Sequence, residues 1–302
     1  MSCNRQVLAR EPRSQPPAAE DALPSWASGV QAACGDGHAM RVIRILAPNP
    51  GPFTLEGTNT WIVGAGPSLV VDPGPPDGRH IEEIQREAGR IGTILLTHHH
   101  PDHAPAAAML ALAVNAPVLA FRPEKGEVQM EDGQLVPGGG VKLRVLHTPG
   151  HTSDHVVFHE PMSGAIFTGD TVLGRGTSVI DPPEGNLSDY MASLERILAL
   201  RPGVLYTGHG PAVWRGEAKL REYLEHRSVR EQQVLQGLRG GARSAQELVP
   251  YIYKAYPAEL HAAAARSLLA HLLKLEGEGR VRSEGHGTGL RFELIGKPPV
   301  PG

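Results

Sequence analysis

The chain of 302 residues has only two cysteines, Cys3 and Cys34, both near its start. Neither a disulfide framework nor a cysteine-rich metal site can be assembled from them, and no disulfide-linked partner is expected. Long hydrophobic runs are also missing. The longest uninterrupted one, Ala104 to Val114, is far short of the ~18–20 residues that cross a bilayer, so no membrane span is expected. An excess of one charge is absent too: 29 Lys and Arg face 32 Asp and Glu, a net charge of −3. That excludes a basic nucleic-acid wrapper and an acidic disordered protein. Aromatic residues make up just 5% of the chain, yet 40% hydrophobic residues suffice for a packed core. A Walker A loop, a G-x-S-x-G elbow and an H-E-x-x-H helix are all lacking, so the chemistries they serve have no support.

What is present in excess is histidine. Eight of the fifteen lie between His98 and His159. The 36 glycines and 27 prolines point to long structured loops. At ~100–200 residues per domain, the length fits one large or two unequal domains.

Residues 1–40 read as a flexible tail, rich in Pro, Ala and Ser and without periodicity. Arg5, Arg10 and Arg13 hint at a transit peptide, but Glu11, Glu20 and Asp21 argue against one. The expected location is cytoplasmic, with the mitochondrial matrix as the alternative in a eukaryote. Organised sequence starts at Arg41. Short β-type runs follow at Asn59–Val63, Ser68–Asp72, Thr93–Thr97, Val118–Ala120, Lys142–Leu146, His155–His159, Ala165–Thr168 and Val204–Thr207. Helical segments at His80–Arg90, Ala104–Val114 and Leu187–Leu200 interleave with them, so residues 41–226 form an α/β domain. Beyond it, residues 227–302 read as helices followed by a hairpin. A capping box at Ser244–Glu247 opens one helix and Leu260–Glu278 forms another. Strands at Arg280–Ser283 and Leu290–Leu294 complete the outline of a small winged-helix-like domain.

The decisive segment is Thr97-His98-His99-His100-Pro101-Asp102-His103, an H-x-H-x-D-H pattern directly after an apolar run. If the strand continues to its end here, His98 and His100 share a face because side chains two apart point the same way. Pro101 then turns the chain and brings Asp102 and His103 beside them. A helix from Ala104 sets its positive end near Asp102. Three later runs end alike: Leu146 to His151, Ala165 to Asp170, and Val204 to His209. The glycines before Asp170 and on both sides of His209 permit close backbone approach. Any one of these histidines alone reads as an ordinary hydrogen-bonded imidazole. Five histidines and two aspartates at successive strand ends read as a metal site.

At these residues the sequence resembles the metallo-β-lactamase superfamily, from Arg41 to about Arg227. The segment from Leu173 to Val179, Asp189-Tyr190-Met191, His226-Arg227 running into Arg230-Glu231, and the winged-helix tail narrow the resemblance to the β-lactamase-like protein 2 family. Asn49 to Thr60 fits the same family. Ala104-Pro105 departs from the Ser-Gly-Gly found in many members, which bears on substrate detail rather than on ligands.

The resemblance implies a four-layer αββα fold. It places His98, His100 and His151 at one metal, and Asp102, His103 and His209 at a second, with Asp170 bridging. Asp102 and Asp170 are then the candidate catalytic carboxylates. Imidazole and carboxylate ligands suit two Zn²⁺ ions, with Mn²⁺ or Fe²⁺ as alternatives. Two such ions ~3.5–4 Å apart share a water and make hydroxide available at neutral pH. The site carries a net positive charge after Asp102, Asp170 and hydroxide are counted, which favours an anionic substrate or one that develops an oxyanion. The carboxylate at 170 matches the phosphodiesterase and thioesterase branches, whereas the lactam-hydrolysing branch carries Cys or Ser there. Phosphodiesters, with single-stranded RNA as one candidate, are thus expected slightly ahead of acyl thioesters.

Further residues carry weaker expectations. His99 faces away from its neighbours and reads as packing or supporting. His147 and His155 read as structural, and Asp72 as a possible orienting partner for a ligand histidine. Arg175 is either a phosphate clamp or a surface arginine. Residues 227–302 hold 11 Lys and Arg against 7 Asp and Glu, with Arg280, Arg282 and Arg291 on the wing. This domain is read as a wall of the cleft, with nucleic-acid contact as the alternative. In a further alternative, the chain is a nucleic-acid-binding regulator whose metal is structural.

Overall fold

A computed structural model describes residues 30–32, 40–241, 243–254 and 257–296. Its apolar strands are buried on both faces, and the alternation of side chains sorts them between different cores. Strand β3 (Asn59–Val63) shows this: Trp61 and Val63 enter one core while Ile62 enters another. The first sheet holds seven strands in sequence order: β1 (Val30–Ala32), β2 (Met40–Leu46), β3, β4 (Ser68–Val71), β5 (Ile91–Leu95), β6 (Val118–Ala120) and β7 (Val128–Gln129). The second holds β8 (Leu135–Gly138), β9 (Val141–His147), β10 (Val156–Glu160), β11 (Ala165–Gly169) and β12 (Leu205–Thr207), also in order across the sheet. β1 to β4 are joined by antiparallel pairings, and β4 to β7 by parallel ones.

Between the sheets Trp61, Val71 and Leu95 meet Val145, Phe158, Phe167 and Tyr206. The outer face of the first sheet is covered by α1 (Gly78–Ala88) and α2 (Ala106–Val114), where Ile62, Val70 and Ile94 pack on Ile84 and Leu110. The outer face of the second is covered by α3 (Leu187–Leu198) and the start of α4 (Gly216–Gly237), through Tyr190, Leu194, Leu220 and Tyr223. The result is the αββα layering that the sequence led us to expect.

A fourth core belongs to the C-terminal part. There α5 (Ala245–Ile252), α6 (His261–Gly277) and the hairpin β13 (Val281–Glu284) and β14 (Arg291–Leu294) enclose Leu248, Leu268, Leu272 and Phe292. The capping box at Ser244 and Glu247 is formed as read.

Three sequence expectations change. The tail is not wholly irregular: Val30–Ala32 pairs antiparallel with β2, although residues 1–29 and 33–39, Cys3 and Cys34 included, lie outside the described residues. The boundary placed between residues 226 and 227 falls inside α4, which puts Leu220 and Tyr223 in one core and Val234 in the next. One continuous helix thus serves two domains, its buried face running from Leu220 and Tyr223 through Arg227 and Arg230 to Val234. Third, β5 ends at Leu95, so strand alternation does not aim His98 and His100; a loop does. Helix α2 also starts at Ala106, two residues later than read.

Candidate metal centre

The loop after β5 is fixed at its root by Asp72, the residue that follows β4. Its side chain is buried and its backbone adopts a left-handed conformation, with φ of 51°. One carboxylate oxygen accepts the Thr97 N–H at 2.8 Å. The other accepts the Thr97 hydroxyl at 2.7 Å and His103 Nδ1–H at 2.9 Å. Parallel pairing of β4 with β5 brings Asp72 alongside the loop, and the parallel strand ends of an α/β sheet are where such sites form.

The tautomers follow from these partners. Thr97 Oγ1 uses its hydrogen in the bond to Asp72, so it accepts from His98 Nδ1–H at 2.9 Å. His151 Nδ1 donates to the Val179 carbonyl at 2.8 Å and His209 Nδ1 to the Gly57 carbonyl at 3.2 Å. With each Nδ1–H engaged, the Nε2 lone pairs of His98, His103, His151 and His209 turn inward. Metal-ligating histidines are held this way, by a second hydrogen bond that fixes the ring.

These atoms fall into two groups within ligand-sharing distance. One comprises His98, His100, His151 and Asp170, the other Asp102, His103 and His209. His151 Nε2 lies 3.0 Å from His100 Nδ1 and 3.6 Å from Asp170 Oδ2. In the second group His103 Nε2 is 3.3 Å from His209 Nε2, which is 3.1 Å from Asp102 Oδ2. The other oxygen of Asp170 turns to this group, 3.4 Å from both His103 Nε2 and His209 Nε2. Bonds of ~2.0–2.1 Å in a tetrahedral shell put ligand atoms about 3.3 Å apart, close to these spacings. Facing lone pairs at such range repel unless a proton or a metal cation lies between them. His98 Nε2 and Asp170 Oδ1 are buried with no hydrogen-bond partner, a costly arrangement that a divalent cation would relieve. The donor set therefore fits a divalent first-row metal.

Burial, then the neighbouring His103, His155 and His151, hold His98 well below the usual imidazole range, so its ring is neutral and ligand-competent. Burial, then His151, also hold His155 down to about 3. Its Nε2 consequently accepts the Asp170 N–H at 3.1 Å and orients that residue's backbone. His99 points away from the centre and bridges Asp154 at 2.7 Å and Glu127 at 2.9 Å. The hydrogen bond to Asp154, against opposing burial and with help from Glu127, pushes it up to about 9. This ion pair ties the ligand loop to the segments on either side of it. His147 Nε2 bonds the Ser153 carbonyl across the turn that carries His151.

Close approach is the reason for glycine at 208. A Cβ there would lie 2.5 Å from Asp170 Oδ1 and 2.9 Å from His103 Cε1. Arg175 has its backbone beside Gly210, and its half-exposed guanidinium forms an ion pair with Glu56. Several contributors escaped the sequence reading. Glu184 stands 3.6 Å from His100 Nε2. Thr97, Glu127 and Asp154 support the ligand loop, and Arg227 Nη2 donates to the Ser178 carbonyl, beside the Val179 carbonyl that holds His151. Only Arg227 carried a sequence signal, its place in the His226-Arg227 motif.

Replacing Asp72 by Asn preserves shape but puts a donor against the Thr97 donors or the His103 N–H. Such partners typically contribute ~10–100-fold to metal affinity. Asp72→Asn is expected to release metal from the Asp102–His103–His209 group at correspondingly lower chelator concentration, read by competition with a chromogenic chelator. Unchanged competition would show that Asp72 merely fills space.

A layered αββα fold with histidines and aspartates at its strand ends defines a class, and comparison with known families agrees. The metallo-beta-lactamase superfamily model matches residues 53–130 and 118–209, and the beta-lactamase associated winged helix domain matches residues 244–289. The chain belongs to the metallo-β-lactamase superfamily and is a hydrolase of that superfamily. Among its relatives, a β-lactamase-like protein 2 homolog of Drosophila melanogaster is 38% identical over 266 residues, 80% of this chain and 89% of its own. A protein of Aspergillus chevalieri named atrochrysone carboxyl ACP thioesterase is 34% identical over 273 residues, 85% of this chain and 87% of its own. A β-lactamase domain protein from Burkholderia ambifaria shares the fold, with a TM-score of 0.76 at 22% identity over 91% of this chain and 96% of that one.

Proposed function

We propose that the chain is a dinuclear zinc hydrolase acting on acyl thioesters. The observation that carries the metal-dependent chemistry is Asp170, whose two oxygens turn to the two ligand groups from between them. When bound there, two divalent ions supply a hydroxide nucleophile at neutral pH and polarise the carbonyl under attack. The chain's part is to hold them with His98, His100 and His151 on one side and Asp102, His103 and His209 on the other. Asp102 is the most exposed carboxylate of the set, at 26% of its side chain, and is placed to take a proton at the mouth of the site.

The sequence alone put phosphodiesters slightly ahead of thioesters. Two observations favour the opposite order. Arg280, Arg282 and Arg291 on the wing are paired with Glu231, Glu293 and Glu247, and Arg175 with Glu56, so the basic groups read as phosphate contacts are matched by carboxylates. Helix α6 turns inward, with Ala270 in the core under the second sheet and Arg266 paired to Asp181 at 2.8 Å, leaving it poorly placed to read a groove. The relatives named as thioesterases support the same reading. Single-stranded RNA stays as the second reading, favoured by the net positive charge of residues 227–302.

The test compares hydrolysis of acyl-pantetheine thioesters, followed by thiol release, with cleavage of labelled single-stranded RNA, each with and without chelator. Chelator-sensitive thioester turnover well above RNA cleavage is expected. RNA cleavage alone would transfer the proposal to the second reading, and chelator-insensitive or absent turnover of both would sink it.

A further inference from the structure

The second half of α4 carries charge that the metal centre does not use. Arg227 and Arg230 are both nearly buried, at 4% and 7% exposure, and among the described residues neither has a carboxylate in ion-pair range. Neutral groups alone receive them. Arg227 donates to the Ser178 carbonyl and lies over the Tyr190 ring. Arg230 donates to Gln233 and the Ile252 carbonyl and lies over the Tyr253 ring. Each leaves its Nε buried without a partner. Nearby, Lys274 and Arg280 share Glu231 and Glu278, so four cations face two carboxylates. Burying unpaired charge is costly, and proteins that keep it usually neutralise it with a counter-ion.

The structure provides a place for that counter-ion. A cavity of about 140 Å³ opens between α3, α4 and α6, bordered by Leu187 and Met191 on one side and by Arg227, Ser228, Glu231, His271 and Lys274 on the others. His271 is 1% exposed, and neither ring nitrogen has a hydrogen-bond partner. A buried imidazole with both nitrogens idle is uncommon, since buried polar groups are normally satisfied. Burial, then the surrounding Arg227, Arg230, Lys274 and His226, hold its proton affinity well below the usual range, so the ring is neutral. The volume equals about four to five waters at ~30 Å³ each, room for a small polyatomic anion.

We propose that this cavity is a binding site for a tetrahedral oxyanion of phosphate size, held by Arg227, His271 and Lys274. It is separate from the metal centre and independent of which ester the enzyme cleaves. The bound form is free inorganic phosphate or the terminal phosphate of a larger molecule, which share the same chemistry. An anion here compensates the Arg227 guanidinium, gives His271 a partner and bridges the winged-helix core to the second sheet's helical layer.

The experiment titrates the zinc-loaded full-length chain with inorganic phosphate, and separately with methyl phosphate, at ionic strength held constant by chloride. Thermal stability is read for the wild type and for His271→Leu. Any anion bound at the metals acts on both proteins alike, so their difference reports the cavity. The expected result is a saturable rise in Tm for the wild type, with phosphate affinity weakened at least tenfold in the variant. Equal responses overturn the proposal. Comparable effects of both ligands assign the site to a phosphate group on a larger molecule, and phosphate alone assigns it to the free ion. Wild-type crystals soaked in selenate supply an anomalous peak between α4 and α6, which decides the matter if the variant does not fold. No peak there overturns the proposal, as does a peak without any difference in solution, which marks an adventitious ion only.

Discussion

Asp170→Asn is expected to leave the fold in place and to remove most of the metal and the activity. The change keeps the volume but replaces a carboxylate by a neutral amide, where both oxygens now turn toward ligand nitrogens. Oδ1, buried and otherwise without a hydrogen bond, faces His103 and His209, and Oδ2 faces His151. An amide nitrogen in either position offers a hydrogen to a site that needs a lone pair. Supporting residues around a metal typically contribute ~10–100-fold, so loss of a group shared by both sites should lower turnover by more than roughly 100-fold. Metal analysis after dialysis, together with thioester turnover, checks it. Two retained equivalents and unimpaired turnover would falsify the bridging role.

The largest stability effect should come from Phe158→Ala. Phe158 lies on β10, fully buried, with Phe167 and Val145 as its partners on the adjacent strands. Its ring fills the space between the two sheets, in one core with Trp61 and Leu95. Truncations of buried phenylalanine cost about 3–5 kcal/mol. For a chain of this size each kcal/mol lowers Tm by about 2–4 °C, so a fall of about 6–20 °C is expected in a thermal melt. A loss below about 1 kcal/mol in denaturant titration would mean that the sheets can close over the cavity, contrary to the packing described.

The same two residues show what the sequence could and could not disclose. Phe158 sits in an apolar run, Val156 to Phe158, whose burial on both faces is written in its composition, and such runs marked the central strands correctly. The edge strands β7 and β8 were not legible. Val128–Gln129 and Leu135–Gly138 are short, largely exposed and contain Pro137 and Gly138, so no run or alternation announces them. Asp170 was visible because a strand, a glycine and an acid follow one another. The partner that fixes each ligand was less visible. Asp72 lies 31 positions from His103 in sequence, and its grip depends on parallel pairing that no local pattern encodes. The clamp of His99 between Glu127 and Asp154 and the pairing of the wing arginines are long-range in the same sense. Ligand type is written locally, whereas ligand orientation is a property of the assembled sheets.

Helix α4 has a mechanical consequence. Its 22 residues form a rod of about 33 Å at ~1.5 Å per residue, without proline and with glycine only at its ends. One end is embedded under the second sheet and the other is the first helix of the winged-helix core. Moving one core against the other would require bending this rod. The C-terminal unit therefore behaves as a fixed abutment of the hydrolase body and not as a door.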